Sequence, residues 1–425
     1  MSSFFDKAKD AYRKEYESNP VFTLFLTILI AFFVIFVIAA IVTGGDSAYY
    51  VFSKDPNLFF SDHFDSVLYS YDHPYTRWHV IYPPLVTVYY TIIGHFTVPY
   101  IEIPTGDDLS SELIRNSQMG MMSFLVITLL TFYALYVIFS KIMKEKDVRK
   151  GAMFLFTVLL AYPFIYAVER GNSVILALVF CFIFLLGYRS ENKIIRYASY
   201  VALGCAAGIK LYPALLLLLI FRERRYKEAA ICIAVVAALV VVPFIFTDGS
   251  FAALFSSVTS YAGANLGVTN LNQIVLGVFQ EMLGFSEGIV SIISYAVIGV
   301  FTLLSVIVIL FDRKMKFWKV VALLSCNLIL GLGVGVQYQI VYMAMPILYF
   351  LSAEREMTKE NKLYAFCFAM TMVLIPGIVI AEIYPSAVIG AIESAFVIVI
   401  AVALLYEGLK NVYRNRSVGH PSPDT

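Results

Sequence analysis

Residues 21–50 read VFTLFLTILIAFFVIFVIAAIVTGGDSAYY. The part from Val21 to Val42 carries no charged residue. Coiled as a helix it reaches roughly 33 Å, enough to cross the roughly 30 Å hydrocarbon core of a bilayer. It is too long for the apolar core of a secretory signal, and Lys7, Lys9, Arg13 and Lys14 precede it. The stretch therefore reads as a retained first span with its N-terminal side in the cytoplasm. Immediately beyond it, Gly44-Gly45-Asp46-Ser47-Ala48-Tyr49-Tyr50 sets a carboxylate at the mouth of that helix, on the outer side.

Similar apolar runs recur to the end of the chain, and composition agrees with them. Of 425 residues, 60% are hydrophobic and 14% charged, with a mean hydropathy of +0.80, which excludes a water-soluble globule. The alternation of polar and apolar residues needed for a transmembrane barrel is missing, so the spans are expected to be helices. A net charge of +1 says little about partners, since in a membrane protein the placement of charge matters more than its sum, and no nucleic-acid partner is expected. Cys181, Cys205, Cys232, Cys326 and Cys367 all fall in apolar runs, as small hydrophobes rather than a disulfide framework.

Basic clusters at 141–150, 189–196, 222–227, 313–319, 355–362 and 410–416 can all be placed in the cytoplasm by one topology. It has about twelve spans, several of them short, and both termini inside. It requires the apolar segment Ile81 to Pro99 to be an interfacial or re-entrant helix within a long first outer loop, 44–116. That loop holds nine acids against Lys54, Arg77 and Arg115, the imbalance expected outside. It is also rich in groups that move or bind protons: Asp55, Asp62, His63, Asp65, Asp72, His73, Arg77 and His79. The fold expected is an all-α polytopic membrane protein, with a catalytic-type module at 1–246 and a C-terminal module at 247–425 that shapes the acceptor side.

The segment Tyr197 to Phe221 is flanked by basic clusters at both ends, which a single straight span cannot satisfy. A hairpin turning at Gly208-Ile209-Lys210-Leu211-Tyr212-Pro213 can, because proline disfavours helix before it and lacks a donor. The turn leaves the Lys210 ammonium part-way into the outer half of the membrane, a costly position unless it is paired or faces water. Glu169-Arg170-Gly171-Asn172 falls at another outer turn. Arg170 and Lys210 facing one cavity would make a phosphate site, the guanidinium binding bidentately and the ammonium acting as a point charge.

In that order, Asp46 with Tyr49, Tyr82-Pro83-Pro84, Arg170-Gly171-Asn172 and Lys210-Leu211-Tyr212-Pro213 followed by Arg222 to Arg225 resemble the polyprenol-phosphate-sugar-dependent glycosyltransferases of the GT-C superfold. The resemblance is closest to bacterial α-1,2-mannosyltransferases of glycosyltransferase family 87. It covers about the first 230 residues and continues weakly at Val336-Gln337-Tyr338-Gln339, where the His or Trp often found in relatives is missing. It implies inverting transfer of a sugar, mannose favoured, from a polyprenyl-phosphate donor to a lipid-linked or cell-envelope glycan acceptor on the outer face. Asp46 would be the general base and Arg170 and Lys210 the phosphate ligands. Tyr49, Tyr71, Tyr75 and Trp78 would be available to stack on the sugar, and Asp72, His73, His79 and Asn172 are further candidates for sugar or acceptor contacts. The reaction needs no cofactor, and neither a P-loop nor a dinucleotide fingerprint is present.

Each residue has a plainer reading. Asp46 could cap a helix, Lys210 could snorkel to the headgroups, and Arg170 could pair with Glu169 or with an acid of the outer loop. Tyr82-Pro83-Pro84 could be purely architectural. The spacing of His63, His73, His79 and His95 matches no metal-ligand pattern, so a divalent metal is not expected. The stretch Thr247 to Gln273, with Asn265, Asn270, Asn272 and Gln273, could bind acceptor or merely connect spans. The alternative of another class is a secondary transporter or lipid-glycan flippase with broken helices, against which stand the lack of an internal repeat and of charges crossing the apolar spans.

Overall fold

The computed structural model describes residues 16–49, 51, 59–103, 108–143, 148–264, 282–331, 337–377 and 385–417, together with Asp10 and Arg13. Tyr50, Asp55, most of the N-terminal charged stretch, Asn265, Asn270, Asn272, Gln273 and the end of the Gly331–Val336 run lie outside the described residues. Among the described residues every regular element is helical.

Among the described residues five helices are long and apolar enough to cross a membrane: Pro20–Val42, Gln118–Ile142, Tyr226–Phe246, Gly288–Phe311 and Val388–Arg414. A sixth is possible if Lys150–Leu159 and Tyr162–Arg170, bent by 60°, form one broken span. Length and composition thus support five or six spans where about twelve were expected. The difference lies in the short helices. Val174–Gly187, Tyr212–Arg222 and Phe317–Leu330 are apolar, but at 1.5 Å per residue none reaches 30 Å by itself. Pro84–Thr97, with 14 residues, is likewise too short to cross.

The chain divides into two compact units. One comprises Met1–Val51, Phe139–Pro163 and Val268–Thr425, the other Phe52–Ile138 and Phe164–Gly267. In the first unit, Pro20 occupies the first turn of the opening helix, where its missing N–H costs nothing, and the Asn19 side chain accepts the Phe22 N–H at 3.1 Å. The helix stops at Thr43, and the chain turns through Gly44 and Gly45 into the short helix Asp46–Tyr49. The Ser47 N–H donates to Thr43 Oγ1 at 3.0 Å, and the Ser47 carbonyl accepts from Gly377 N–H at 2.9 Å, which fixes the turn. An apolar groove of about 460 Å³ lies against Pro20–Val42 in the same unit, lined among others by Leu26, Phe33, Met153, Phe156 and Met372.

In the second unit, helices Ser61–Tyr71 and Pro84–Thr97 pack through Phe64, Val67, Leu68, Val86, Tyr90 and Ile93, onto Phe124, Ala177 and Ile209. Burying side chains of this size supplies roughly 1.5–3 kcal/mol each. The break in Tyr197 to Phe221 is present: helix Lys193–Ile209 ends, Lys210 is extended at φ −140° and ψ 125°, and a 3-10 turn Tyr212–Leu217 follows with Pro213 in its first turn. Gly208 allows this end to meet the entry of Pro84–Thr97, since a Cβ there would stand 2.5 Å from Leu85 Cδ2. That close approach brings Lys210 to Tyr82.

Candidate active site

The Arg170-Gly171-Asn172 turn begins as a helix end. Gly171 N–H donates to Val168 O at 2.8 Å and Asn172 N–H to Ala167 O at 2.9 Å, the paired bonds of a Schellman cap, with Gly171 left-handed at φ +67°. A Cβ on Gly171 would stand 2.9 Å from His63 Cβ and 3.0 Å from Phe60 O, so the turn also presses against the start of Ser61–Tyr71. Phe60 N–H donates to Glu169 O at 2.6 Å across the same contact.

This packing delivers two side chains to one carboxylate. Arg170 Nη2 donates to Asp62 Oδ1 at 2.6 Å, and Asn172 Nδ2 donates to Asp62 Oδ2 at 2.6 Å. Asn172 Oδ1 accepts the Val174 N–H at 3.0 Å, which fixes the orientation of its amide. The pair is partly shielded, with side-chain exposures of 26% for Arg170 and 15% for Asp62. Lys210 is buried, its Nζ 4.2 Å from the centre of the Tyr82 ring. It lies at the turn between two short helices, outside the five long spans. Burial lowers the Lys210 ammonium to about 8, and the Asp62 carboxylate opposes that shift. Arg170 pairs with Asp62 directly, whereas Asp62 only favours the charged form of Lys210. Burial raises the neighbouring Asp65 carboxyl, against a hydrogen bond from Ser111.

Tyr82 is held in turn. Its carbonyl accepts the Tyr75 hydroxyl at 2.7 Å. Asp248 accepts the Tyr75 and Thr76 N–H groups at 3.1 Å each and the Thr76 hydroxyl at 2.5 Å. Burial alone would raise the Asp248 carboxyl, but these donors hold it below the ordinary range. Among the other candidates of the 71–79 turn, Asp72 pairs with Arg77, and His73 Nδ1 stands 3.8 Å from Asp248 Oδ2. His79 is exposed with φ +49°. Trp78 stacks on Tyr69 with ring centres 4.6 Å apart, and the Arg77 guanidinium lies over the Trp78 ring at 5.0 Å. Tyr71 is exposed, while Tyr75 is 2% exposed and its hydroxyl is engaged, so its ring serves packing.

Asp46 and Tyr49 belong to the first unit and are both exposed, Asp46 opening the helix Asp46–Tyr49. His63 packs edge-on against Phe64, Tyr90 and Phe124, and burial lowers it to about 4, so it is a neutral ring of the core. His95 contacts the Thr91 carbonyl through Nδ1 at 2.8 Å. Among the described residues no group of three His, Cys, Asp or Glu is placed to hold a metal ion. Arg170 thus makes the pair with an outer-loop acid that was its plainer reading; Asp62 was named in the sequence only among the proton-active groups of that loop, and Asp248, which holds the 71–79 turn, was given no role.

Helical membrane architecture defines an integral membrane protein, and its shielded polar cluster joins Arg170 and Asn172 to Asp62. A profile described as Glycosyltransferase family 87 matches residues 80–334, more than half of the chain, and the chain belongs to that family. It is a membrane glycosyltransferase. The matched range contains Arg170, Asn172 and Lys210 and begins after Asp46, Asp62 and the 71–79 turn. No curated protein and no solved structure matched the chain.

Proposed function

We propose that the enzyme transfers a sugar, with mannose favoured, from a polyprenyl-phosphate donor to a lipid-linked or cell-envelope glycan acceptor on the extracytoplasmic face of the membrane. The observation that carries this reading is the Arg170–Asp62–Asn172 contact, with a second, buried cation, Lys210, against the Tyr82 ring in the same unit, in a glycosyltransferase whose helices are built for a bilayer. A membrane lipid whose head is a phosphodiester needs cations at a shielded place beside apolar helices, and that is what these residues supply.

In the reaction, the acceptor hydroxyl oxygen forms a bond to the anomeric carbon as the bond from that carbon to the phosphate oxygen breaks. The hydroxyl proton passes to the Asp46 carboxylate, and the electron pair of the broken bond leaves on polyprenyl phosphate. The departing group gains charge as it leaves, and Arg170 and Lys210 offset that charge. A single displacement of this kind inverts the anomeric centre, in keeping with the resemblance to the polyprenyl-phosphate-sugar enzymes. Tyr49, Asp72, His73, Trp78, His79 and Asn172 are the groups proposed for sugar and acceptor contacts, Asn172 through the turn it shares with Arg170. No cofactor or divalent metal takes part.

The test is turnover of short-chain polyprenyl-phosphate mannose, glucose and arabinose by the purified protein in nanodiscs with a panel of lipid-linked acceptors. Consumption of at least one donor, with mannose fastest, is expected. Silence with all three, together with no donor binding, would overturn the donor assignment.

A further inference from the structure

Asp62 uses each of its oxygens on a different partner. Oδ1 takes Arg170, and Oδ2 takes Asn172, whose amide cannot turn over without giving up the buried Val174 N–H. The atom facing Asn172 Nδ2 must therefore be an acceptor, and a carboxylate is the side chain that offers acceptors in both directions at once. The chain positions joined here are 108 and 110 residues apart, so the contact is a feature of the fold and not of one turn. Partial shielding limits competition from water, which lets such a pair hold a fixed geometry.

We propose that Asp62 is a positioning residue of the transfer reaction: it aims the Arg170 guanidinium and the Asn172 amide without itself touching the reacting atoms. The proposal rests on the reading of Arg170 and Lys210 as ligands of the donor phosphate. It separates binding from chemistry. Removing the Asp62 charge makes the site more positive by one unit, so a phosphate binds no more weakly. The guanidinium, however, loses the carboxylate that aims it, and charge developing on the leaving group is met less well. A residue that merely held the fold together would lower the yield of folded protein and leave turnover per folded molecule unchanged.

The experiment compares wild type, Asp62→Asn and the double variant Asp62→Asn with Asn172→Asp in nanodiscs. Farnesyl phosphate serves as the binding probe and a short-chain polyprenyl-phosphate mannose as donor. Asp62→Asn sets a donor against the fixed Asn172 amide. The double variant restores the pairing with acceptor and donor exchanged, because the carboxylate at 172 accepts from Val174 N–H and from the new amide at 62, whose oxygen still accepts from Arg170. Expected is a kcat at least tenfold lower in Asp62→Asn with farnesyl phosphate bound as tightly or more tightly, and a partial recovery in the double variant, to a kcat at least threefold above that of the single variant, since Asn172 is itself a proposed sugar contact. A single variant that fails to fold while the double variant folds and works marks the pairing as structural and overturns the positioning role. Wild-type kcat in Asp62→Asn, or a double variant as slow as the single one or equally unfolded, overturns it. A wild-type protein that neither binds farnesyl phosphate nor consumes donor overturns the donor reading itself, and this proposal with it.

Discussion

Lys210 shows how one side chain can be both expensive and useful. Its burial beside the Tyr82 ring holds the ammonium at about 8, so the free enzyme loses that charge as pH rises through this value. Because kcat/KM reports the free enzyme, its value for the donor is expected to fall above about pH 8, while Lys210→Arg, always charged, moves the alkaline limb upward. An unchanged limb in Lys210→Arg would remove Lys210 from donor binding. Lys210→Ala should lower kcat/KM roughly 10- to 100-fold, the range of a hydrogen bond to a charged group, and a loss under threefold would contradict that. Lys210 was legible in the sequence because a lysine before a proline break inside an apolar run is conspicuous. Asp62 was not, because its meaning depends on Arg170, 108 positions away, and one acid among nine in a polar loop carries no mark of its partner.

At the scale of elements, the Arg170-Gly171-Asn172 turn is first a helix cap and only then a site. Gly171→Ala must place a Cβ in a left-handed residue and against His63, a change expected to cost about 1–2 kcal/mol. A lowered melting temperature in detergent together with weaker binding of farnesyl phosphate would follow; a variant with wild-type values in both would show that the turn is not held as described. The turn at 74–77 depends on Asp248, and Asp248→Ala strands the Tyr75 and Thr76 donors. Faster limited proteolysis within 71–79 is the expected sign, and an unchanged digestion pattern would argue against the clasp. The break at Lys210 could be foreseen from Pro213 and the flanking basic clusters, whereas the clasp joins positions 173 residues apart and leaves no local pattern. Tyr75 was grouped with the exposed rings for the same reason: nothing in its neighbours announces that its hydroxyl closes onto Tyr82.

For the whole molecule, hydropathy conveyed the class at once, and the wholly helical build follows from the need to satisfy backbone groups in lipid. The number of spans was less legible, because the basic clusters call for crossings by short apolar segments that length and composition alone do not identify as spans. The topology proposed here places 44–116 outside and 189–196 inside. A membrane-impermeant maleimide should therefore label Glu102→Cys, at an exposed position, from the outside of intact cells, and Lys193→Cys, also exposed, only after permeabilisation. Labelling of both from the same side would contradict that topology. The central claim is that this family 87 enzyme uses a polyprenyl-phosphate sugar with Asp46 as its base. Its most direct test is donor turnover by purified wild type and Asp46→Asn, with donor binding measured on the same samples. Turnover lost at least a hundredfold in Asp46→Asn while donor binding persists is the result predicted, and an Asp46→Asn protein that turns over donor at the wild-type rate would contradict it.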